Sequence, residues 1–160
     1  MEHSIGGHTL DEIYDAVHFA VGAFLTHRKN DDQTRKGGYC SVIDRINEEV
    51  ITTFEVGNPA HGKAERYRQL SVEKALRLLE TNEQFGHVTS WQSRDEQADK
   101  WGGAIIIGDF ILSFSGFSPD LADEAVMIRA AHRLGWLNAD EAESFANMND
   151  NEWTRLLMAA

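Results

Sequence analysis

Trp101-Gly-Gly-Ala-Ile-Ile-Ile-Gly-Asp-Phe-Ile-Leu-Ser-Phe-Ser-Gly116, with Ser118-Pro-Asp-Leu-Ala-Asp-Glu124 behind it, is the stretch whose reading decides the fold. It predicts a tight β-hairpin running into a helix. Gly108-Asp109 is a two-residue turn between two strongly β-prone arms. Gly102-Gly103 at the entrance allow unusual dihedrals or the close approach of another backbone. Ser113, Ser115 and Gly116 end the second arm with small groups, which leaves room for a ligand beside the backbone. Ser118 is placed to cap the helix, with Pro119 in its first turn. Asp120, Asp123 and Glu124 follow where carboxylates complement the helix dipole.

Working upstream, Thr9-Leu-Asp-Glu12 is a capping box, and Leu10, Ile13, Tyr14, Val17, Val21 and Phe24 then recur at helical spacing. The spacing predicts a helix over 10–27. A polar loop over 28–38 precedes two β-prone runs, 39–46 and 50–56, joined by Asn47-Glu48-Glu49 and read as an antiparallel pair. A second helix is predicted over 63–82, with Tyr67, Leu70, Ala75, Leu78 and Leu79 on its buried side. Lys74 falls near that side, and its stem is expected to lie on apolar surface with the ammonium in water. Residues 85–93 read as a third strand before the hairpin.

Downstream, Leu121, Ala125, Ile128 and His132 share a face of the helix that Gly135 ends. Asn138-Ala-Asp-Glu141 and Asn149-Asp-Asn-Glu152 resemble two further capping boxes. The second leads into Trp153, Leu156 and Leu157, a short amphipathic helix that either closes the core or packs on a second subunit. The organisation expected is a flexible leader over 1–8, one α/β domain over 9–136, and a helical extension over 137–160 packed on the domain or on a partner.

A chain of 160 residues is long enough to bury a core as one domain, and 42% hydrophobic with 26% charged residues is an ordinary globular composition. The net charge of −11 argues against a phosphate-backbone partner and against an anionic membrane surface. The one basic cluster, Arg28-Lys29 with Arg35-Lys36, is small and interrupted by Asp31-Asp32. No apolar run has the length of a membrane span, and the N-terminus does not read as a signal peptide. The single cysteine, Cys40, excludes an internal disulfide and fits a reducing compartment, so a cytoplasmic location is expected. Cys40 falls in a predicted strand, where a packed inert thiol is the ordinary reading.

Catalytic motifs are absent from the sequence. There is no Ser-His-Asp order, no phosphate-binding glycine loop, no Cys-His pair and no His-Glu-x-x-His. An enzyme is therefore the weakest of the function classes. His3 and His8 lack further ligands at fixed spacing. His18, at the edge of the first helix's stripe, His61, in the loop before the second helix, and His132 are the histidines that could reach a ligand.

Three features taken in order resemble the haem-degrading domain family, which includes the GlcG-type and haem-binding HbpS-type proteins. Ser41-Val-Ile-Asp44 is similar to that family's first strand, which ends in an acid. Ser71-Val-Glu-Lys74-Ala75 is similar to its Lys-Ala helix. Gly102-Gly103-Ala-Ile, Ser113-Phe-Ser115-Gly116 and Asp123-Glu124-Ala125 resemble its Gly-Gly-x-Pro-Ile, Gly-x-Ser-Gly and Asp-Glu-x-x-Ala run, with Ala104-Ile105 standing where the family often leads to proline. The likeness spans residues 10–134. It implies a profilin-like α/β (α+β) sandwich, with a central antiparallel sheet of about five strands flanked by helices, and an oligomer. It also implies a small-molecule-binding or sensing module, with haem or a porphyrin as the possible ligand. The ligand site would comprise Gly102, Gly103, Ser113, Ser115, Gly116, Asp123, Glu124 and Lys74, and His18, His61 or His132 would be the candidate axial donor. The alternative is a protein–protein adaptor of profilin- or roadblock-like fold, which would use sheet edges and helices and have no enzymatic activity.

Overall fold

The computed structural model describes residues 4–27 and 35–159. His3, Arg28, Lys29 and most of the predicted polar loop lie outside the described residues. Within them the chain is mixed α/β, with five α-helices and one open antiparallel sheet of four strands. The elements run α1 (Leu10–His27), β1 (Lys36–Asp44), β2 (Glu49–Asn58), α2 (Ala64–Phe85), β3 (Ala104–Ile107), β4 (Phe110–Ser115), α3 (Asp120–Arg133), α4 (Ala139–Asn149) and α5 (Glu152–Ala159). The sheet order is β2-β1-β4-β3, so the predicted hairpin forms one edge and β2 the other. No helix among the described residues is long and apolar enough to cross a membrane.

Both faces of the sheet are covered, which explains why β1 and β4 read as near-continuous apolar runs. Cys40, Val42, Ile105, Leu112 and Phe114 point to one side, into a core shared with Ile13, Val17 and Phe24 of α1 and with Ala125, Val126 and Ile128 of α3. Ile43, Ala104 and Ile111 point to the other side, against Ala75 and Leu78 of α2. Cys40 is buried, and burial pushes its thiol up, out of the nucleophilic range. The α4–α5 pair packs on the first side. Leu157 is fully buried, and the Trp153 ring lies 5.0 Å from Phe24.

The hairpin turns at Gly108-Asp109, with Ile107 opposite Phe110. The Thr9–Glu12 capping box closes in both directions. Ahead of it, Ile5 is buried and the Trp136 indole donates to the Gly6 carbonyl, so the described part of the predicted leader lies against the body.

The strand predicted over 85–93 does not form, and the sheet therefore has four strands rather than five. α2 runs on to Phe85 and is closed by Gly86 in the left-handed conformation. The segment then meets β3 at the Val88 carbonyl and the Thr89–Ile105 bridge, and the next β3 amide, that of Ala104, is taken by the Ser90 hydroxyl and not by a backbone carbonyl. Gln92 takes the amides of Val88 and Thr89 on its side-chain oxygen, which winds residues 90–93 into a 3₁₀ turn before a ladder can extend.

Two helix starts also differ from expectation. α3 begins at Asp120 after a cis Ser118-Pro119 bond, without a side-chain cap from Ser118. The cap of α5 is Asn151, whose Oδ1 accepts from the Thr154 amide; Asn149 ends α4 instead.

Candidate functional site

Lys74 leaves α2 on its sheet side, and its side chain ends beside Gly103, just ahead of β3, and the end of β4. It is 1% exposed, which corrects the expectation of an ammonium in water. Its Nζ donates to the Phe114 carbonyl at 2.8 Å and to Asp123 Oδ2 at 3.1 Å. A buried ammonium requires such partners, because an unpaired one would cost several kcal/mol. The other Asp123 oxygen accepts from the Phe117 amide at 2.9 Å. The carboxylate thus ties α3 to α2 and to the strand end, rather than serving only the dipole of its own helix. Burial pushes Asp123 up to about 6, against the pull of Lys74 and of the Phe117 amide.

The paired glycines make room for this arrangement. A Cβ at Gly103 would lie 2.6 Å from the Phe114 carbonyl oxygen and 2.8 Å from Lys74 Nζ, and its φ of +130° suits glycine alone. The Gly102 amide donates to Asp120 Oδ2 at 2.6 Å. The same oxygen accepts from Arg94 Nε at 2.9 Å, and Arg94 is stacked beside both Trp91 and Trp101. Arg77, from α2, donates to the carbonyls of Ser93 and Trp101 and so fixes the segment that carries the tryptophan.

Between α2, the end of β4 and the start of α3 lies a cavity of ≈ 380 Å³. Four of the predicted ligand residues line it: Lys74, Ser115, Gly116 and Asp123. Gly102 and Gly103 sit behind the lining and shape it through Asp120 and Lys74. Ser113 lies deeper under α2, fully buried, and its hydroxyl has no hydrogen-bond partner among the described residues.

Glu124 belongs to a different place. It faces α4 and α5, where Oε1 accepts from Asn149 and Oε2 from Asn151. Burial pushes it up to about 7, against the two amide donors.

The histidines are dispersed. His61 is exposed in its loop, and His132 is half-buried near Arg129 on α3. His18 is exposed on α1 and stacks on Tyr14; with His27, Phe19 and Arg129 it lines a second, shallower hollow. Among the described residues no histidine lines the cavity beside Lys74, so they do not fit it for a haem held through an imidazole. No cluster of three or more His, Cys, Asp or Glu among the described residues could hold a metal ion.

Sequence reasoning missed Arg66, Arg94, Trp101 and Phe117 as parts of the lining. They come from four separate segments with no shared motif. The one available signal was an arginine placed between two tryptophans, Trp91 and Trp101, in a charged stretch. Comparison with protein-family models, with curated proteins and with solved structures finds no match to this chain.

Proposed function

We propose that the protein is a small-molecule-binding or sensing module of the haem-degrading domain type, with a profilin-like sandwich, acting as a homo-oligomer. The observation that carries this reading is the ≈ 380 Å³ cavity, which brings Lys74 of α2 beside Ser115, Gly116 and Asp123 at the β4–α3 junction, about forty positions further along the chain. A concave site with aromatic walls and a few convergent polar groups is the usual form of a ligand pocket. The Lys74–Asp123 pair forms its floor, and both groups are already satisfied by protein partners. That favours binding over turnover.

The porphyrin version of the proposal carries a separate test, because no imidazole of the described residues lines the cavity. Haem added to the purified protein would give a Soret shift abolished by His18→Ala, His61→Ala or His132→Ala if one of these ligates iron outside the cavity. An unchanged spectrum removes haem and leaves the small-molecule reading in place. For that reading the test is native mass spectrometry of the protein as purified. A co-purifying small molecule lost in Ser115→Trp, which fills the cavity, supports it. The same adduct retained in that variant places the ligand elsewhere.

A second reading, the protein–protein adaptor, draws on β2. Among the described residues this edge strand pairs only with β1, and Val50 is 45% exposed on it. Open edges invite pairing with another chain.

A further inference from the structure

We infer that the cavity takes an organic anion, a carboxylate or phosphate head on a flat apolar body; this rests on the small-molecule reading above. The chain carries 15 Lys and Arg against 26 Asp and Glu. The lining lacks that acidic excess, with four cations (Arg35, Arg66, Lys74, Arg94) against three carboxylates (Glu96, Asp120, Asp123), and Asp99 paired with Arg66 from outside it. A balanced cleft in an acidic surface is the place where an anion meets the least repulsion.

Lys74 and Asp123 neutralise each other at the floor, so discrimination falls to the guanidinium groups nearer the mouth. Arg94 commits Nε to Asp120 and one Nη2 proton to Glu96, and Arg66 commits one Nη2 proton to Asp99. A guanidinium offers five N–H donors in a planar fork. Both arginines therefore keep donors for a further acceptor, in the geometry that matches carboxylate and phosphate oxygens.

Arg94 is also set before any ligand arrives. Its guanidinium carbon lies 4.7 Å from the Trp91 ring centre and 5.2 Å from that of Trp101, while Asp120 holds Nε. Such fixing reduces the ordering cost of binding. A cationic ligand would have to compete with Arg94 for Asp120 or Glu96 and would add positive charge beside the guanidinium groups of Arg94 and Arg66. Trp101, Tyr67 and Phe117 supply flat apolar wall for the body of the ligand.

The test titrates the full-length ¹⁵N-labelled protein with benzoate, phenyl phosphate and benzamide, following the Gly116 and Phe117 amides and the Trp101 indole. The expected result is saturable shifts with benzoate, phenyl phosphate or both, and binding of neutral benzamide weaker by about tenfold or more. The stronger of the two anions identifies the head group. Arg94→Gln and Arg66→Gln should each weaken that anion by about tenfold, the effect of one lost charge-assisted hydrogen bond. Arg66 is half exposed, so its variant tests the inference even if Arg94→Gln fails to fold. Benzamide binding as tightly as the anions overturns the anion class and leaves the small-molecule reading standing. If none of the three probes moves these signals, the anion inference falls, while the small-molecule reading is decided by the adduct test on Ser115→Trp.

Discussion

Removing the Lys74 ammonium would leave the Asp123 carboxylate buried without its cation. Lys74→Met is therefore expected to cost about 3–5 kcal/mol in urea unfolding, and Lys74→Met with Asp123→Leu to recover most of it, since the loss comes from the uncompensated charge. A double variant as unstable as the single one would show that the pair does not carry this energy. Gly103→Ala places a methyl against the Phe114 carbonyl and Lys74 Nζ at a φ of +130°. It should lose roughly 1–3 kcal/mol, read as a lower denaturation midpoint at unchanged slope. The residue types needed here, Lys74, Gly103 and Asp123, stood out in the sequence. Their contact did not, because a lysine on the apolar side of a helix has the same spacing whether its head snorkels to water or meets a buried acid.

At the scale of elements, Glu124 joins α3 to the α4–α5 pair through Asn149 and Asn151. Its carboxyl is pushed from the ordinary 4.5 up to about 7 by burial. The folded state then binds the proton more tightly than the unfolded state. Stability from this group is thus fully present below pH 4.5 and lost as the pH rises through 7, on the order of 3 kcal/mol in all. Asp123, pushed from 3.8 up to about 6, acts in the same direction over a lower window. Denaturant midpoints measured from pH 5 to pH 8 should fall for the wild type and fall less for Glu124→Gln, with the Asp123 part of the slope remaining. An equal fall in the two proteins would remove Glu124 from this role. Leu157 docks α5 on α3 and α1, and Leu157→Ala is expected to cost about 2–5 kcal/mol in the same measurement. The caps of α1 and α4 were legible as Thr9–Glu12 and Asn138–Glu141 because both partners lie within one helical turn. The missing strand at 85–93 was not legible. Its β-prone residues were overruled by Gln92 folding back on the backbone of Val88 and Thr89.

The whole molecule is a sheet with α2 on one face and α1, α3, α4 and α5 on the other, and β2 is its open edge among the described residues. If β2 makes a homo-oligomer, light scattering behind a sizing column should give more than one chain mass, and Val50→Lys, adding charge to that edge, should return it to one. A monomeric wild type would remove the oligomer from the proposal. Taken alone, the sequence determined what local chemistry can determine: the amphipathic face of α1, the β1–β2 pair, and the Gly108-Asp109 hairpin leading into α3. Propensity, periodicity and turn residues act over a few positions, so these elements can be read without their neighbours. Only the tertiary structure decided that Trp101–Gly116 forms a sheet edge beside β1, that Glu124 and Asp123 face different neighbours although adjacent, and that Arg66, Arg94 and Trp101 meet around one cavity. Those facts depend on contacts between residues tens of positions apart, and such contacts leave no period in the sequence.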